Sequence, residues 1–494
     1  MQQNKVGELK SFKLFGRFSL LFLFFISLLY SSSFENFKNS QISSFEKYKD
    51  EKDIAFGGYL KQQWEEYEVY KGKPLYEKPK PKSIFPAKAF KSKSVGPKIS
   101  IKIKSKQKEV KKSLDKIQDF IVLKKSKIKK DISNKNISFN FFGSDMEFDV
   151  SLGIKKARYY PQNQKGVTTF FDRLASSEYE NLILNINTVK KTMKLNDWGV
   201  YLLVTKISEN IFSNNDERKL LSWFIFNKLR YAVRVGLVKK HIVLMHYSKK
   251  IIYSMPNYSF NNKKFYVISK DARSHHQRVY SYKQDYPDAD KPLDLSINSF
   301  PDFMPDIKNK TLYFKQFGKN YSVSFNYNKN IIDFMATYPQ ADYETYFNAP
   351  LENETYKLLA SDLKKHLDGK QISEAINFVL HFVQNSFKYQ RDDQQFGREK
   401  VMFAQETLFY DKSDCEDRAV LFAYLVKELF GVSVVGLKYK DHMATAIYIP
   451  IKGDSVKFNS KRFVIADPTY INANIGKSMP KYKSIIPQSF IRVR

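Results

Sequence analysis

Cysteine is almost missing from this sequence, and its scarcity excludes several kinds of site. One Cys in 494 residues rules out an intrachain disulfide framework, a Cys-based zinc site and an iron–sulfur cluster. The chain also lacks a glycine-rich phosphate loop and an HExxH motif. We therefore predict no cofactor and no metal, and if the single thiol, Cys415, has a chemical role, that role is as a nucleophile.

Acidic residues are few compared with basic ones. The chain has 83 Lys and Arg against 51 Asp and Glu, so its net charge is 83 minus 51, or +32. This balance favours anionic partners such as an envelope polymer or an anionic lipid. Nucleic acid is the less favoured partner, because no nucleic-acid module is recognisable and the N-terminus has the features of an export signal.

The N-terminus carries the one apolar run typical of targeting. Residues 18–30 are apolar and uncharged, follow four basic residues and precede three serines. The run is shorter than the roughly 20 residues of a membrane span and suits the core of a signal peptide. We predict that residues 1–33 are a signal peptide or signal anchor and that the protein is exported, to the periplasm or cell envelope.

Most of the remaining chain should fold, because 43% of all 494 residues are hydrophobic and 16% are aromatic. Its length predicts two to four domains. Periodicity and composition predict an α+β fold with these parts: a helical segment at 34–71, a Pro/Lys-rich linker and basic region at 72–135, an α+β domain at 136–290, a β-rich connection at 291–350 and a last domain at 351–494.

The environment of the thiol is the most informative part of the sequence. Ser413 or Asp414 is a suitable N-cap, so Cys415 is predicted to open a helix that ends at Gly431. The N-terminus of a helix stabilises a thiolate. Glu416 and the next residue oppose this effect because they are acidic, so the thiol needs a basic partner.

Two downstream residues can supply that partner and its support. His442 is predicted at the start of a strand, and Asp467 at the end of another strand, just before a proline. A thiol, an imidazole that accepts its proton and a carboxylate that orients the imidazole are the parts of a cysteine-nucleophile triad. Each residue also has an ordinary structural interpretation, and the argument depends on the ordered combination.

The chain resembles the transglutaminase-like superfamily of papain-like cysteine enzymes at three motifs. They are Ser413–Ala419, His442–Ala446 and Ile465–Tyr470, and the resemblance covers about 353–494. It implies that Cys415 is the nucleophile, His442 the general base and Asp467 its orienting acid, in a domain with a helix-borne Cys and an antiparallel sheet. Family members often have Gly where this chain has Ser413.

An acyl-transfer site also needs donors for the developing oxyanion. The Cys415 backbone N–H is one donor. Gln384, Gln390 and Gln405 are candidates for a second, and the sequence does not choose between them.

The chain also resembles itself at an offset of about 200 residues. Val235–Leu237 matches Val435–Leu437, and Asn215 falls opposite Cys415; with small gaps, His241 aligns with His442. We hypothesise that residues 168–272 are a degenerate copy of the last domain without a nucleophile. The alternative is that two unrelated helix–strand units share a few residues.

Two functions fit these observations. The first is a transglutaminase-like cysteine enzyme that hydrolyses amide bonds, or transfers acyl groups, on protein or peptide substrates through a Cys415 thioester. The second is a catalytically silent scaffold or binding protein of the cell envelope with the same fold.

Overall fold

The computed structural model describes residues 51–70, 81, 84–103, 135–268 and 278–494. The chain divides into two compact units, residues 1–62 and 63–494. The predicted signal segment, residues 1–33, lies outside the described residues, as does most of the basic region. Within the described ranges, every helix is too short or too polar to cross a bilayer.

The predicted helical segment is only partly helical. Residues 51–60 form a helix, but β1 (Glu65–Glu68) is a strand, so the prediction of helix up to residue 71 is wrong there. This strand pairs antiparallel with β8 (Arg278–Ser281). Tyr67 packs on Phe260 with ring centroids 4.4 Å apart, so cross-strand contacts outweigh the helical spacing of the aromatic residues.

The middle of the second unit is an α+β assembly, as predicted. A hairpin of β2 (Lys135–Phe141) and β3 (Ser144–Val150) comes first. The helices that follow are α1 (Leu152–Lys155), α2 (Gln164–Ala175), α3 (Glu180–Thr192), α4 (Asp197–Ile211) and α5 (Asn215–Lys228). The strands are β4 (Val233–Val238), β5 (His241–Tyr247), β6 (Asn257–Phe260), β7 (Lys263–Tyr266) and β8. Together with β1 these strands form a six-stranded antiparallel sheet in the order β1-β8-β4-β5-β7-β6.

The connecting region contains one long hairpin, of β9 (Ile307–Gln316) and β10 (Lys319–Asn328). The predicted β-rich connection, 291–350, is not β throughout, because α6 (Lys329–Ala336) is helical. Asn328 explains the change, since its side chain caps this helix by accepting from the Asn330 backbone N–H. The short helix α7 (Tyr343–Phe347) follows.

The last domain combines helices with a five-stranded antiparallel sheet. Its elements before the thiol are α8 (Asn353–Leu367), α9 (Ile372–Asn385), β11 (Lys388–Tyr389), α10 (Asp392–Gln395), α11 (Ala404–Phe409) and β12 (Lys412–Ser413). After them come α12 (Cys415–Phe430), β13 (Val434–Lys438), β14 (Met443–Ile447), β15 (Ser455–Phe458), β16 (Lys461–Ala466), a 3₁₀ turn (Pro480–Tyr482) and β17 (Ser489–Arg492). The sheet order is β15-β16-β14-β13-β17, and α12 packs against β13, β14 and α9.

Part of the predicted linker is bound to this domain. Residues 84–103 contain no helix or ladder strand, as the prolines predict. They nevertheless pair through their backbone with the domain: the Ala87 N–H donates to the Ile471 carbonyl at 2.8 Å, and the Ile372 N–H donates to the Pro97 carbonyl at 2.9 Å. This part of the linker is therefore a strap on the last domain.

The two large sheets have the same strand order. Across the first sheet, the five strands that follow the helix lie in the order β8-β4-β5-β7-β6, next to β1 at the edge, and across the second sheet the strands lie in the order β17-β13-β14-β16-β15. The hairpin tips agree as well, because Asn261–Asn262 and Asn459–Ser460 are two-residue turns with positive φ at all four residues. A helix pair packs together in each case, α4 with α5 and α9 with α12.

The helices also carry matching contacts. On α5, the Arg218 Nε donates to the Phe212 carbonyl just after α4, and on α12, Arg418 donates to the Phe387 carbonyl just after α9. The turns before the second strand differ, however. Val238 pairs with His241 across a two-residue turn, whereas Lys438 pairs with Met443 across a four-residue turn that contains His442.

The expected alignment of His241 with His442 is therefore wrong. The strand register makes His241 the equivalent of Met443, which is one residue after His442. The His241 side chain is 77% exposed. A one-residue shift along a strand turns a side chain to the other face. The first sheet thus lacks the longer turn that carries the histidine of the second.

Gly436 tests how tightly the second sheet is packed. A Cβ at this position would lie 2.9 Å from Phe347 Cζ and 3.1 Å from Ile491 Cβ. We expect Gly436→Ala to lower the free energy of unfolding by about 1–3 kcal/mol through overpacking. Denaturant unfolding checks this, with hydrogen exchange of the β13 amides to assign the loss to this sheet. Gly58→Ala, where a Cβ has open space, is the control and should not weaken β13 protection.

Candidate active site

The first turn of α12 is buried and fixed by its acidic side chains. Asp414 is the N-cap and Cys415 the first helical residue, as predicted, and the helix ends at Gly431 with φ +66°. Asp417 accepts from the Asp414 N–H at 3.1 Å and from the Met402 N–H at 2.8 Å. Its two bonds join the helix start to the chain that enters α11.

Arg418 fixes the same turn from the other side. Its Nε donates to Ser413 Oγ at 3.0 Å, and its two terminal nitrogens donate to the carbonyls of Gln384 at 3.2 Å and Phe387 at 2.7 Å. The side chain is fully buried, and burial lowers the pKa of Arg418 to about 10. The guanidinium thereby locks the end of α9 to the residue two positions before the thiol.

The predicted base and acid lie together. His442 ends the four-residue turn after β13, and Asp467 directly follows β16, which pairs with β14. His442 Nε2 lies 2.8 Å from Asp467 Oδ2, and both side chains are buried. A carboxylate only accepts when it is ionised, so Nε2 carries the hydrogen and the lone pair of neutral His442 is on Nδ1.

The Asp467 carboxylate is held in one orientation. Its Oδ1 accepts from the Thr469 N–H at 2.9 Å and from the Tyr470 N–H at 3.2 Å, which leaves Oδ2 for His442. Gln384 Nε2 donates to the Asp467 carbonyl at 3.0 Å. The acid and the imidazole are thus positioned before any substrate binds.

An aromatic side chain that the sequence did not single out covers the imidazole. The Tyr482 ring stacks on His442 with centroids 4.7 Å apart, and its hydroxyl donates to Asp441 Oδ1 at 3.0 Å. Burial, and then the hydrogen bond to Asp441, raise the pKa of Tyr482, and the charges of Cys415 and Asp467 add to the rise. Tyr482 is therefore close to all three residues of the predicted triad.

The Cys415 thiol is hydrogen-bonded to a carboxylate in this structure. Cys415 Sγ donates to Glu416 Oε2 at 3.1 Å, and both side chains are fully buried. His442 Nδ1 is also buried and has no hydrogen-bond partner among the described residues. The structure therefore forms the His442–Asp467 pair, but the thiol is not hydrogen-bonded to the imidazole.

Comparison of the chain with protein-family models, with curated proteins and with solved structures found no match. The chemistry must therefore be inferred from the arrangement of the side chains.

The thiol lies in an acidic environment. Carboxylate oxygens of Asp392, Asp414 and Asp417 come within 4.8 Å of one another, as do those of Asp392, Glu399 and Glu416. Arg418 supplies buried positive charge to this cluster, since Asp414 and Asp417 both act on it electrostatically. We assign no metal here. This cluster disfavours a negative charge on the sulfur, that is, the thiolate form of Cys415.

The three candidate oxyanion donors have different positions. Gln384 uses both amide hydrogens on the carbonyls of Asp467 and Ala473, and Gln405 donates to Thr355 Oγ1 at 2.9 Å. Gln390 is half-buried, and its backbone N–H donates to the Ser413 carbonyl at 3.2 Å. Its side-chain amide makes no hydrogen bond within the described part of the chain, so Gln390 is the candidate whose amide hydrogens are not used elsewhere.

Arg418 generates a stability prediction. A Lys cannot reproduce the three-way contact of the guanidinium, so we expect Arg418→Lys to lower the free energy of unfolding by about 3 kcal/mol. Arg462→Lys is the matched control, because Arg462 also donates to two carbonyls but is exposed, and it should cost under about 0.5 kcal/mol. Denaturant midpoints of the two variants compare them, and equal losses would show that the buried contact has no special weight.

Proposed function

We propose that the protein is a transglutaminase-like cysteine enzyme that forms a thioester on Cys415 from an amide of a protein or peptide. The observation that supports this is the buried His442–Asp467 pair, whose bare Nδ1 is a proton acceptor in the domain whose helix opens with the thiol. Water as the acceptor of the acyl group gives amide hydrolysis, and an amine gives acyl transfer.

The proposed steps follow from the positions of the proton carriers. The Cys415 thiol gives its proton to His442 Nδ1, and Sγ attacks the amide carbonyl carbon. The Cys415 N–H, with Gln390, donates to the oxyanion of the tetrahedral intermediate. His442 then protonates the leaving amine as the carbon–nitrogen bond breaks, and Asp467 stabilises the imidazolium between these steps. Attack by water or an amine on the thioester releases the acyl group and restores the thiol.

The first sheet of the second unit is, in this proposal, a degenerate copy of the catalytic one. The shared strand order and the matching arginines support it. The copy has Asn215 at the nucleophile position and a turn too short for the histidine. It would contribute structure rather than chemistry.

The proposed location is the periplasm or cell envelope, on the support of the N-terminal apolar run alone. The excess of basic residues would suit an anionic envelope polymer or lipid near the substrate.

Alkylation of the single cysteine tests the proposal directly. We expect the alkylation of Cys415 in the folded protein to depend on the imidazole, so that His442→Ala lowers its rate at every pH below about 8.5. Asp467→Asn should reduce it less, because the base remains but loses its orientation. Intact mass confirms one adduct per chain. His381→Ala is the matched control, since His381 is a buried histidine bonded to Asn474 at 2.9 Å and has no place in the proposed chemistry.

A thiol that is indifferent to His442 in folded protein would contradict the proposal. The full burial of Cys415 and its bond to Glu416 favour the alternative in that case, a catalytically silent envelope scaffold or binding protein with the same fold. A search for amide substrates is justified only by the first outcome.

A further inference from the structure

The thiol and the predicted base have different partners in this structure. Cys415 Sγ donates to Glu416 Oε2, while the lone pair of His442 Nδ1 has no partner among the described residues. These two observations are independent, since one concerns the sulfur and the other the imidazole. Together they describe a site in which proton transfer from thiol to imidazole is not set up.

Elementary acidity shows what the contact with Glu416 does. A carboxyl group has an ordinary pKa of about 4.3 and a thiol one of about 8.5, so the carboxylate does not take the thiol proton. It accepts a hydrogen bond from the neutral thiol and repels the thiolate. A neutral imidazole is a stronger base than a carboxylate by about two pKa units. It becomes positively charged when it takes the thiol proton, so it attracts the thiolate that remains.

We propose that Glu416 holds Cys415 in a resting state as a neutral thiol, and that the site becomes reactive when Sγ turns from Glu416 Oε2 to His442 Nδ1. This inference rests on the proposed function, because it assigns a control to the same nucleophile. Glu416 is then a residue of the site that contacts the reacting atom directly.

The proposed turn is a rotation of the Cys415 side chain. A Cys side chain has one rotatable bond with three staggered positions, so a change of χ1 moves the sulfur while the backbone of α12 stays fixed by Arg418 and Asp417. A substrate carbonyl or a change in the acidic cluster can favour the second position.

Charged and titratable groups surround the thiol and Glu416 from every packed element. They are Asp414, Asp417 and Arg418 on α12 and its cap, Asp392, Glu399 and Lys400 on α10 and the loop after it, Tyr389 on β11, His442 and Asp467 on the sheet, and Tyr482 on the 3₁₀ turn. Glu416 is in hydrogen-bond contact with the sulfur itself. A substitution of Glu416 is therefore the direct test.

The experiment measures the rate of Cys415 alkylation against pH in the full chain. Glu416→Gln keeps the shape of the side chain and removes its charge, so the thiolate should form at lower pH and alkylation near neutral pH should be about tenfold faster or more. Glu428→Gln is the matched control, because it makes the same change about 18 Å along the same helix and should leave the profile unchanged. An unchanged or upward-shifted profile in Glu416→Gln overturns the proposal.

A second measurement needs no variant. The chain has one cysteine, so Raman spectroscopy of the wild type has at most one S–H stretching band. We expect this band near neutral pH, at a frequency lowered by the bond to the carboxylate. Its absence would show a resting thiolate and would overturn the proposal even if Glu416→Gln failed to fold.

A double variant separates this inference from the proposed function. In Glu416→Gln with His442→Ala, loss of the gained reactivity supports both assignments. A gain that persists without His442 keeps the role of Glu416 and contradicts that of His442. If His442→Ala lowers the reactivity but Glu416→Gln has no effect, the role of His442 is kept and that of Glu416 is contradicted.

Discussion

The geometry of the site depends on one buried cation. Arg418 joins the Ser413 hydroxyl to the two carbonyls that end α9, and Gln384, on that same helix, in turn holds the Asp467 backbone. A single side chain thus relates the helix that presents the thiol to the loop that presents the acid. The cost of burying a guanidinium is offset by these charge-assisted hydrogen bonds and by the carboxylates of Asp414 and Asp417 nearby. The position of Cys415 relative to Asp467 therefore depends on this buried cation.

The two large sheets are similar in architecture, although only the second carries the candidate site. Both have the same order of strands, a helix pair and an arginine at the same helical position. The difference lies in a turn of two residues in one and four in the other, where His442 is located. The longer turn carries His442, whose imidazole lies against Asp467 at the end of the neighbouring strand β16.

Local patterns in the sequence were sufficient for the helix from Cys415 to Gly431, the strands that flank His442 and Asp467, and the α+β class, because caps, glycine and alternation act within a few residues. They failed where distant contacts decide. Tyr67 has helical spacing but pairs as a strand, and His241 matches His442 in letters but not in register. Tyr482 could not be found, since its place over the imidazole depends on a turn about 40 residues earlier in the sequence. For the hydrogen bond from Cys415 Sγ to Glu416, the sequence offered only the acidic character of Glu416 as an indication.

The first turn of α12 is acidic, although acidic residues oppose the thiolate that the proposed chemistry needs. A helix N-terminus alone favours a thiolate, and carboxylates next to the sulfur oppose it. The same acids are needed structurally, because Asp417 closes the capping box and binds the Met402 N–H. A site that must keep this cap, and yet react, needs a base strong enough to overcome the local repulsion, and a fully oriented His442–Asp467 pair meets that need. In the proposed enzyme, the acids that build the helix start therefore make the reactivity of the thiol conditional on the imidazole, which is a more selective arrangement than a thiol activated by the helix alone.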